Sequence, residues 1–300
     1  MPRARSSFVL TGTDALLYAG LIWGWSTSWY AIKQQLDGVT PEVSVFWRFL
    51  LTVPLMFGLS VWRGDGWRFP LVLHPMLALS GVLMFSTNFV LFYHAGGYLP
   101  SGLMAVVFAL SSLINLLFGV LLWGEPFRWK LALGGVMGVA GVALLFQPQF
   151  AAVESSAATR IGLMLGFAAT LCFAMGNQVS VRLQKHGARV VPAAAWGMAY
   201  GTVVAGFYAL IGGGSFALPM TANYLGWLAF LILSATMLAF YTYLSLVSRI
   251  GAPRAAYATV IFPVFALLIS TVLEGYRWTP LAIAGVVLAL AGNLLVLRRD

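Results

Sequence analysis

The chain has 300 residues, of which 61% are hydrophobic and only 8% charged, and its formal net charge is +9. A soluble domain carries roughly 25% charged residues, so this composition excludes a soluble fold, which would lack the polar groups to cover its surface. The single cysteine, Cys172, can form no disulfide within the chain. The composition therefore predicts a protein embedded in a membrane.

Ten apolar stretches follow one another along the chain, each long enough to cross a hydrocarbon core roughly 30 Å thick. Because lipid offers the backbone no hydrogen-bond partner, we expect every stretch to be an α-helix. The predicted fold class is an all-α membrane protein with ten transmembrane helices. The stretches lie at 14–34, 42–62, 74–94, 99–122, 128–147, 160–182, 193–212, 222–248, 253–273 and 279–297.

The distribution of positive charge predicts the orientation in the membrane. If the amino terminus lies in the cytoplasm, ten crossings place 13 of the 17 Lys and Arg residues on the inner side. The outer side receives only Lys33, Arg160 and Arg277, and Arg48 falls inside a span. Cytoplasmic loops carry an excess of Lys and Arg, so this bias predicts that both termini are cytoplasmic. Membrane orientation explains the basic charge, and we expect no nucleic-acid partner.

The segments 99–145 and 250–297 resemble each other. LLWGEPFRW in the first corresponds to STVLEGYRW in the second, with Glu125 and Glu274 standing 149 residues apart. Each half then holds five spans, and an odd number of spans gives the two halves opposite orientations. Inverted halves with a site between them are typical of transporters.

The repeat divides the chain into a first five-helix repeat at 1–147, an outer linker at 148–159 and a second, inverted repeat at 160–300. Small residues spaced four apart, such as Gly20 and Gly24, allow helix backbones to approach closely. The motif recurs in several spans, which favours packing within one chain over a dimer contact. We therefore expect a monomer in contact with the lipid bilayer.

No spacing of side chains indicates an enzyme. His74, His94 and His186 lie at span ends or in a loop, without cysteine or carboxylate at a metal-ligand spacing. No glycine-rich loop could hold ATP phosphates. All eight acidic residues lie at span ends, in loops or at the terminus, so we expect no proton relay based on a mid-membrane carboxylate. We also expect no cofactor and no metal.

Neutral polar and aromatic side chains inside the spans are the candidate substrate-binding residues. A zwitterionic substrate needs hydrogen-bond partners for its charged ends and an apolar or aromatic wall for its side chain. For any single polar residue, the competing interpretation is hydrogen bonding between helices. For each aromatic residue, the competing interpretation is packing against lipid. The candidates are Trp25, Asn88, Phe92, Ser112, Asn115, Asn177, Gln178, Tyr241 and Tyr257.

Arg48 is the one basic residue inside a span, six residues after Glu42. It could reach the outer interface or form a structural ion pair, and it could also attract a substrate carboxylate. Pro263 interrupts the ninth span and removes a backbone hydrogen bond there, so we expect a bend that serves gating.

WGWSTSWYAIK in the first span, PEVSVFWR in the second and the paired LLWGEPFRW and LEGYRW segments resemble the drug/metabolite transporter superfamily. Its ten-span branch with two EamA-type halves is the most similar, and the aromatic-rich spans look like the YddG-type amino-acid exporters. The resemblance implies a secondary transporter that exports neutral and aromatic amino acids across the bacterial inner membrane by alternating access. Export of lipophilic drugs or other small metabolites by the same fold is the alternative.

Overall fold

The computed structural model describes residues 11–124, 129–151, 156–250, 255 and 258–297, which form helices joined by short connections. No strand occurs among these residues. We number ten helical segments in chain order: α1 Gly12–Gln34, α2 Pro41–Trp62, α3 Leu71–Gly96, α4 Ser101–Trp123, α5 Trp129–Ala151, α6 Ser156–Lys185, α7 Val190–Ile211, α8 Ala222–Ile250, α9 Ala258–Glu274 and α10 Pro280–Leu297. The predicted repeat residue Glu125 and the candidate Tyr257 lie outside the described residues.

Six of these helices are long and apolar enough to cross a membrane, namely α2, α3, α4, α6, α7 and α8. Shorter apolar helical stretches occur at Ala132–Gln147, Ala258–Glu274 and Pro280–Gly292. Large apolar side chains cover the outside of the bundle, and Val272 is 81% exposed. Such a surface is unfavourable in water and suits lipid. An all-helical membrane protein is thus confirmed.

Three helices depart from regular α-helix at mid-length. In α3 the segment Gly81–Thr87 is π-helical, and in α8 the segment Leu233–Leu238 is π-helical. A turn at Leu110 divides α4 into Ser101–Ala109 and Ser111–Trp123. π-Helical turns widen the backbone ladder and occur frequently at functional sites.

Hydrogen bonds and ion pairs gather the helix ends on two opposite faces. The Asp14 face joins the start of α1 to the end of α8, where Arg249 Nε donates to Asp14 Oδ1 at 2.6 Å. The Glu274 face joins the end of α1 to the end of α9, where Lys33 Nζ lies 2.8 Å from Glu274 Oε1. Successive helices alternate in direction between these two faces.

Two tryptophans hold equivalent connections on the opposite faces. Trp47 Nε1 in α2 donates to the carbonyl of Phe216 at 3.1 Å, beside the Glu274 face. Trp196 Nε1 in α7 donates to the carbonyl of Trp67 at 2.7 Å, beside the Asp14 face. The two donors are 149 residues apart, and so are the two acceptors.

The helix ends after these tryptophans correspond as well. Gly64 follows α2 with φ of 70°, and Gly213 follows α7 with φ of 66°. Glycine adopts this left-handed conformation without the steric penalty of a Cβ atom, and so it can end a helix. These two glycines are also 149 residues apart.

Helices α5 and α10 meet along a seam of glycines. A Cβ atom on Gly141 would lie 2.6 Å from the carbonyl oxygen of Gly285, and one on Gly292 would lie 2.6 Å from that of Gly134. After the paired Trp129 and Trp278, the offset between the repeats rises from 149 to 151 residues, which pairs Gly134 with Gly285 and Gly141 with Gly292. Exchanging the halves therefore converts one contact into the other. Contacts exchanged in this way are typical of two units related by a two-fold axis.

Candidate functional site

An aromatic cluster lies in the interior, formed by Trp29, Phe92, Phe108, Phe173 and Phe262. Trp29 meets the Phe92 ring at 4.9 Å and the Phe108 ring at 5.4 Å between centroids. Phe108 also meets Phe173 at 4.7 Å and Phe262 at 6.2 Å. These side chains come from α1, α3 and α4 of the first half and from α6 and α9 of the second. The cluster therefore lies where the two halves meet.

The candidate Trp25 extends this cluster along α1. Its ring lies 5.9 Å from that of Phe262 and 5.9 Å from that of Tyr243 in α8. The neighbouring Ser26 hydroxyl donates to the carbonyl of Phe262 at 3.0 Å. That carbonyl belongs to the residue before Pro263, which is buried within α9. The candidates Trp25 and Phe92 are thus connected through Phe262 and Phe108. The sequence did not indicate the contribution of Phe262.

The Arg48 side chain is buried in the bundle, with 4% of the residue exposed. Its Nη2 donates to Thr236 Oγ1 in the π-helical turn of α8 at 3.3 Å. The guanidinium carbon lies 4.6 Å from the centre of the Phe89 ring and 5.4 Å from that of Phe49. Cation–π attraction of this kind partly compensates a buried positive charge.

Several polar atoms around Arg48 lack a partner among the described residues. The Arg48 Nε and Nη1 atoms make no hydrogen bond there, and neither does the buried hydroxyl of Tyr93. The Tyr93 hydroxyl lies beside the guanidinium and interacts with it electrostatically. Leaving buried donors unpaired is costly, so this arrangement requires an explanation.

No acidic side chain among the described residues neutralises Arg48. Asp14 binds Arg249, Glu42 Oε1 lies 2.7 Å from His94 Nε2, and Glu274 binds Lys33. Asp65 forms ion pairs with Arg63 and Arg189. All of these pairs lie towards the faces of the bundle. The interior around Arg48 therefore carries a positive charge without a described counter-ion.

An amide cluster brings together three of the candidate residues between α4 and α6. Asn177 Nδ2 donates to Asn115 Oδ1 at 3.2 Å, and Gln178 Nε2 donates to the Asn115 carbonyl at 2.7 Å. Trp123 Nε1 donates to Gln178 Oε1 at 2.8 Å. Ser112, one turn before Asn115, donates to the Ala109 carbonyl at 3.0 Å. The contacts of Asn177 and Gln178 connect α6 to α4, whereas that of Ser112 lies within α4. The role of these residues towards a substrate stays a prediction.

Asn88 and Tyr241 are the remaining described candidates. Asn88 is buried, and its Nδ2 donates to the Ala169 carbonyl in α6 at 2.9 Å. Tyr241 in α8 is 44% exposed. No group of three His, Cys, Asp or Glu side chains that could hold a metal occurs within the described ranges.

A clasp on the Glu274 face joins three helix ends. Ser101, at the start of α4, donates its backbone N–H to Glu274 Oε2 at 2.9 Å, and its hydroxyl donates to the same oxygen. Lys33, at the end of α1, forms the ion pair with Glu274. Only 8% of the Glu274 side chain is exposed. The clasp therefore links a helix end of the second half to two helix ends of the first.

Sequence reasoning missed Phe89, Tyr93 and Thr236 around Arg48. Phe89 and Tyr93 are four residues apart, so they share one face of α3, and a Tyr within an apolar span was the available signal. Thr236 reaches Arg48 from a different half of the chain. No spacing in the sequence indicates that contact.

Comparison with known proteins identifies the family. The model of the EamA-like transporter family matches twice, at residues 12–147 and 160–298. The chain belongs to the EamA-like transporter family. Members of this family, within the drug/metabolite transporter superfamily, are transporters and not enzymes, and the chain is a multi-pass membrane protein.

Full-length relatives are similar at low identity. Uncharacterized transporter YvbV of Bacillus subtilis (strain 168) is 26% identical over 290 residues, covering 94% of this chain and 90% of that protein. Probable amino-acid metabolite efflux pump of Escherichia coli (strain K12) is 23% identical over 290 residues, covering 93% of each. A crystal structure with a TM-score of 0.66 and 18% identity covers 94% of this chain and 96% of its own, and shows the same fold.

Proposed function

We propose that this EamA-like transporter exports amino acids and related small metabolites by alternating access, with neutral and aromatic amino acids as the main substrates. The observation that carries the proposal is the aromatic cluster at the junction of the two halves. An aromatic wall beside polar groups suits a small substrate with a charged end and an apolar end. The relative described as a probable amino-acid metabolite efflux pump supports the same substrate class.

Alternating access is supported by the correspondence between the halves. Trp47 and Trp196 make equivalent hydrogen bonds on opposite faces, and the glycine contacts of α5 and α10 exchange with the halves. We infer ten spans arranged as two inverted repeats, 1–147 and 160–300, joined by the linker 148–159. Two inverted halves can rock around a site held between them, exposing it to one side at a time.

We infer that the protein lies in the bacterial inner membrane as a monomer with both termini in the cytoplasm. The excess of Lys and Arg on the side of the Asp14 face supports this orientation. The Glu274 face is then the outer one. Four of the five described acidic residues bind basic side chains at the faces, and the fifth, Asp37, is exposed. This supports transport without a carboxylate-based proton relay.

Counterflow in proteoliposomes tests the proposal. Vesicles containing the purified full-length protein are loaded with unlabelled L-phenylalanine and diluted into labelled L-phenylalanine. We expect transient accumulation of label, absent from protein-free vesicles. Cationic lipophilic dyes tested in the same way distinguish the alternative. Accumulation of dyes without amino acids contradicts the proposed substrate class.

Aromatic variants connect the flux to the cluster. Phe108→Ala opens the centre of the cluster and should raise the KM for L-phenylalanine more than the KM for L-alanine, because only the larger side chain contacts the wall. Phe207→Ala is a matched control, since Phe207 is 59% exposed on the outside of α7. Equal effects of both variants would contradict a substrate role for the cluster.

A further inference from the structure

We propose that Arg48 makes the interior site a receptor for monoanionic carboxylates, so that the exported compounds include acids that carry no ammonium group. The inference rests on the proposed function and specifies its substrate class. The site consists of the Arg48 guanidinium, the Tyr93 hydroxyl and Thr236, which lies in the π-helical turn of α8. The inference goes beyond neutral amino acids, because the site requires a carboxylate on the substrate and no second charged group.

The Arg48 site carries a positive charge that no described side chain neutralises. Arg48 is 96% buried between aromatic rings and has no acidic partner among the described residues. A buried charge without a partner is strongly unfavourable, and inside membranes such residues mark substrate or ion sites. A bound monoanion would neutralise this charge. Binding thus removes a penalty that the unliganded protein carries.

The site also has hydrogen-bond donors that are available to a substrate. Arg48 Nε and Nη1 make no hydrogen bond among the described residues, and the Tyr93 hydroxyl makes none either. A guanidinium binds a carboxylate through two parallel N–H···O bonds, and a phenol can donate a third bond. Thr236 accepts from Nη2 and donates to the Leu231 carbonyl at 2.9 Å, which holds one side of the guanidinium in place.

The interior offers no described carboxylate that could pair with the ammonium group of a substrate. An ammonium group brought into the interior would need a carboxylate, and every described acidic side chain with an ion-pair partner lies towards a face. A zwitterion would leave the net positive charge of the interior unchanged, and a cation would increase it. A monoanion brings the net charge to zero. The electrostatics therefore rank a monoanion above a zwitterion and a cation last.

The position of the second half that corresponds to Arg48 carries no charged side chain. The offset of 149 residues that relates Trp47 to Trp196 places Gly197 opposite Arg48. A Cβ atom on Gly197 would lie 3.0 Å from the Phe85 ring, so α7 packs closely on α3 where α2 carries its guanidinium. The second half thus supplies no guanidinium at the position equivalent to Arg48.

A monoanionic substrate also provides a driving force for export. The membrane potential of a cell is negative inside and pushes an anion outwards. A potential of about 100 mV corresponds to about a 50-fold concentration ratio for one charge. This force needs no proton relay and no ATP. It acts on a monoanion and leaves a zwitterion unaffected.

Ligand binding by the purified full-length protein tests the proposal with three compounds of similar size: 3-phenylpropionate, L-phenylalanine and L-phenylalaninamide. The midpoint of thermal unfolding in detergent is measured over a concentration series of each compound. We expect the lowest apparent Kd for the monoanion, a higher one for the zwitterion and no stabilisation by the cation. Equal or tighter binding of the zwitterion or of the cation overturns the proposal.

Variants assign the effect to the site. Tyr93→Phe removes only a hydroxyl that has no hydrogen bond, so it should fold at least as well as the wild type while its Kd for 3-phenylpropionate rises about tenfold. Arg48→Gln should abolish the preference for the monoanion. Tyr98→Phe is the matched control, because Tyr98 is 46% exposed at a connection. An unchanged Kd in Tyr93→Phe removes Tyr93 from the site, and a preserved preference in Arg48→Gln overturns the proposal.

Transport separates the failure of this inference from that of the proposed function. In proteoliposomes with an imposed inside-negative potassium diffusion potential, wild-type efflux of labelled 3-phenylpropionate should accelerate severalfold, whereas efflux of L-phenylalanine should not. Flux of L-phenylalanine alone overturns the monoanion proposal and leaves the proposed function standing. If neither compound crosses, the proposed function fails, and the binding series alone decides the anion site.

Discussion

Trp47 and Trp196 stand 149 residues apart and make the same hydrogen bond on opposite faces of the bundle. Each indole N–H holds the connection that follows the equivalent helix of the other half. The bond of Trp196 fixes the segment after α2, and that of Trp47 fixes the segment after α7. Equivalent bonds on both faces give each face the same means of holding α2 against α7.

We expect Trp47→Phe and Trp196→Phe to lower the free energy of unfolding by similar amounts. Each variant removes one hydrogen bond, which contributes about 1 kcal/mol. The two sites lie on opposite faces and share no partner, so the double variant should show the sum. Unfolding in detergent by increasing denaturant measures these values. A loss in only one of the two variants would contradict their equivalence.

Gly141→Ala should destabilise the protein, because its methyl group would meet the carbonyl oxygen of Gly285 and the backbone nitrogen of Ala289, both at 2.6 Å. Overpacking of this kind costs about 1–3 kcal/mol. Gly226→Ala in α8 is the control, since nothing lies within 4 Å of its added Cβ. The control should be neutral or gain up to about 1 kcal/mol from helix propensity. Thermal unfolding of both variants checks the contrast.

Breaking the clasp should open the Glu274 face. Glu274→Gln removes the ion pair with Lys33, and the amide keeps an acceptor for Ser101. In a Cys172→Ser background carrying Ala105→Cys, the buried thiol introduced in α4 should react faster with a polar maleimide when Glu274→Gln is added. Glu42→Gln is the control, because it removes an equal charge from the same face. Equal labelling rates in both would show that the clasp does not hold this face closed.

The proline of α9 is expected to serve gating, although the helix Ala258–Glu274 continues through it. Pro263→Ala restores a backbone N–H and should slow counterflow severalfold without loss of stability. Pro54→Ala is the control, since Pro54 lies inside α2 on the exposed side of the bundle. Normal counterflow in Pro263→Ala removes the gating role.

Hydropathy predicted the helices well, because a segment surrounded by lipid can satisfy its backbone hydrogen bonds within itself only as a helix. The sixth span was predicted at 160–182, whereas the helix runs from Ser156 to Lys185. The difference arises because hydrophobicity ends at the membrane boundary while backbone hydrogen bonding continues into the interface. The π-helical turns could not be predicted, since they depend on packing against neighbouring helices.

The composition of the candidate site could be predicted from the sequence, whereas the contacts among its residues could not. Polar residues inside apolar spans pointed to Asn115, Asn177 and Gln178, which do come together. The partner of each depends on the rotation of every helix about its axis, which the sequence does not encode locally. The neighbours of Arg48 come from α3 and α8, so only the folded bundle reveals that its charge has no described counter-ion.

The position of Arg48 along α2 gives a bound molecule a direction. The guanidinium lies six residues after Glu42, roughly 9 Å from the Glu274 face along the helix axis. After Arg48, α2 continues for 14 residues to Trp62, about 21 Å towards the Asp14 face. A carboxylate held by Arg48 would thus have a short way to the Glu274 face and a longer way from the opposite face.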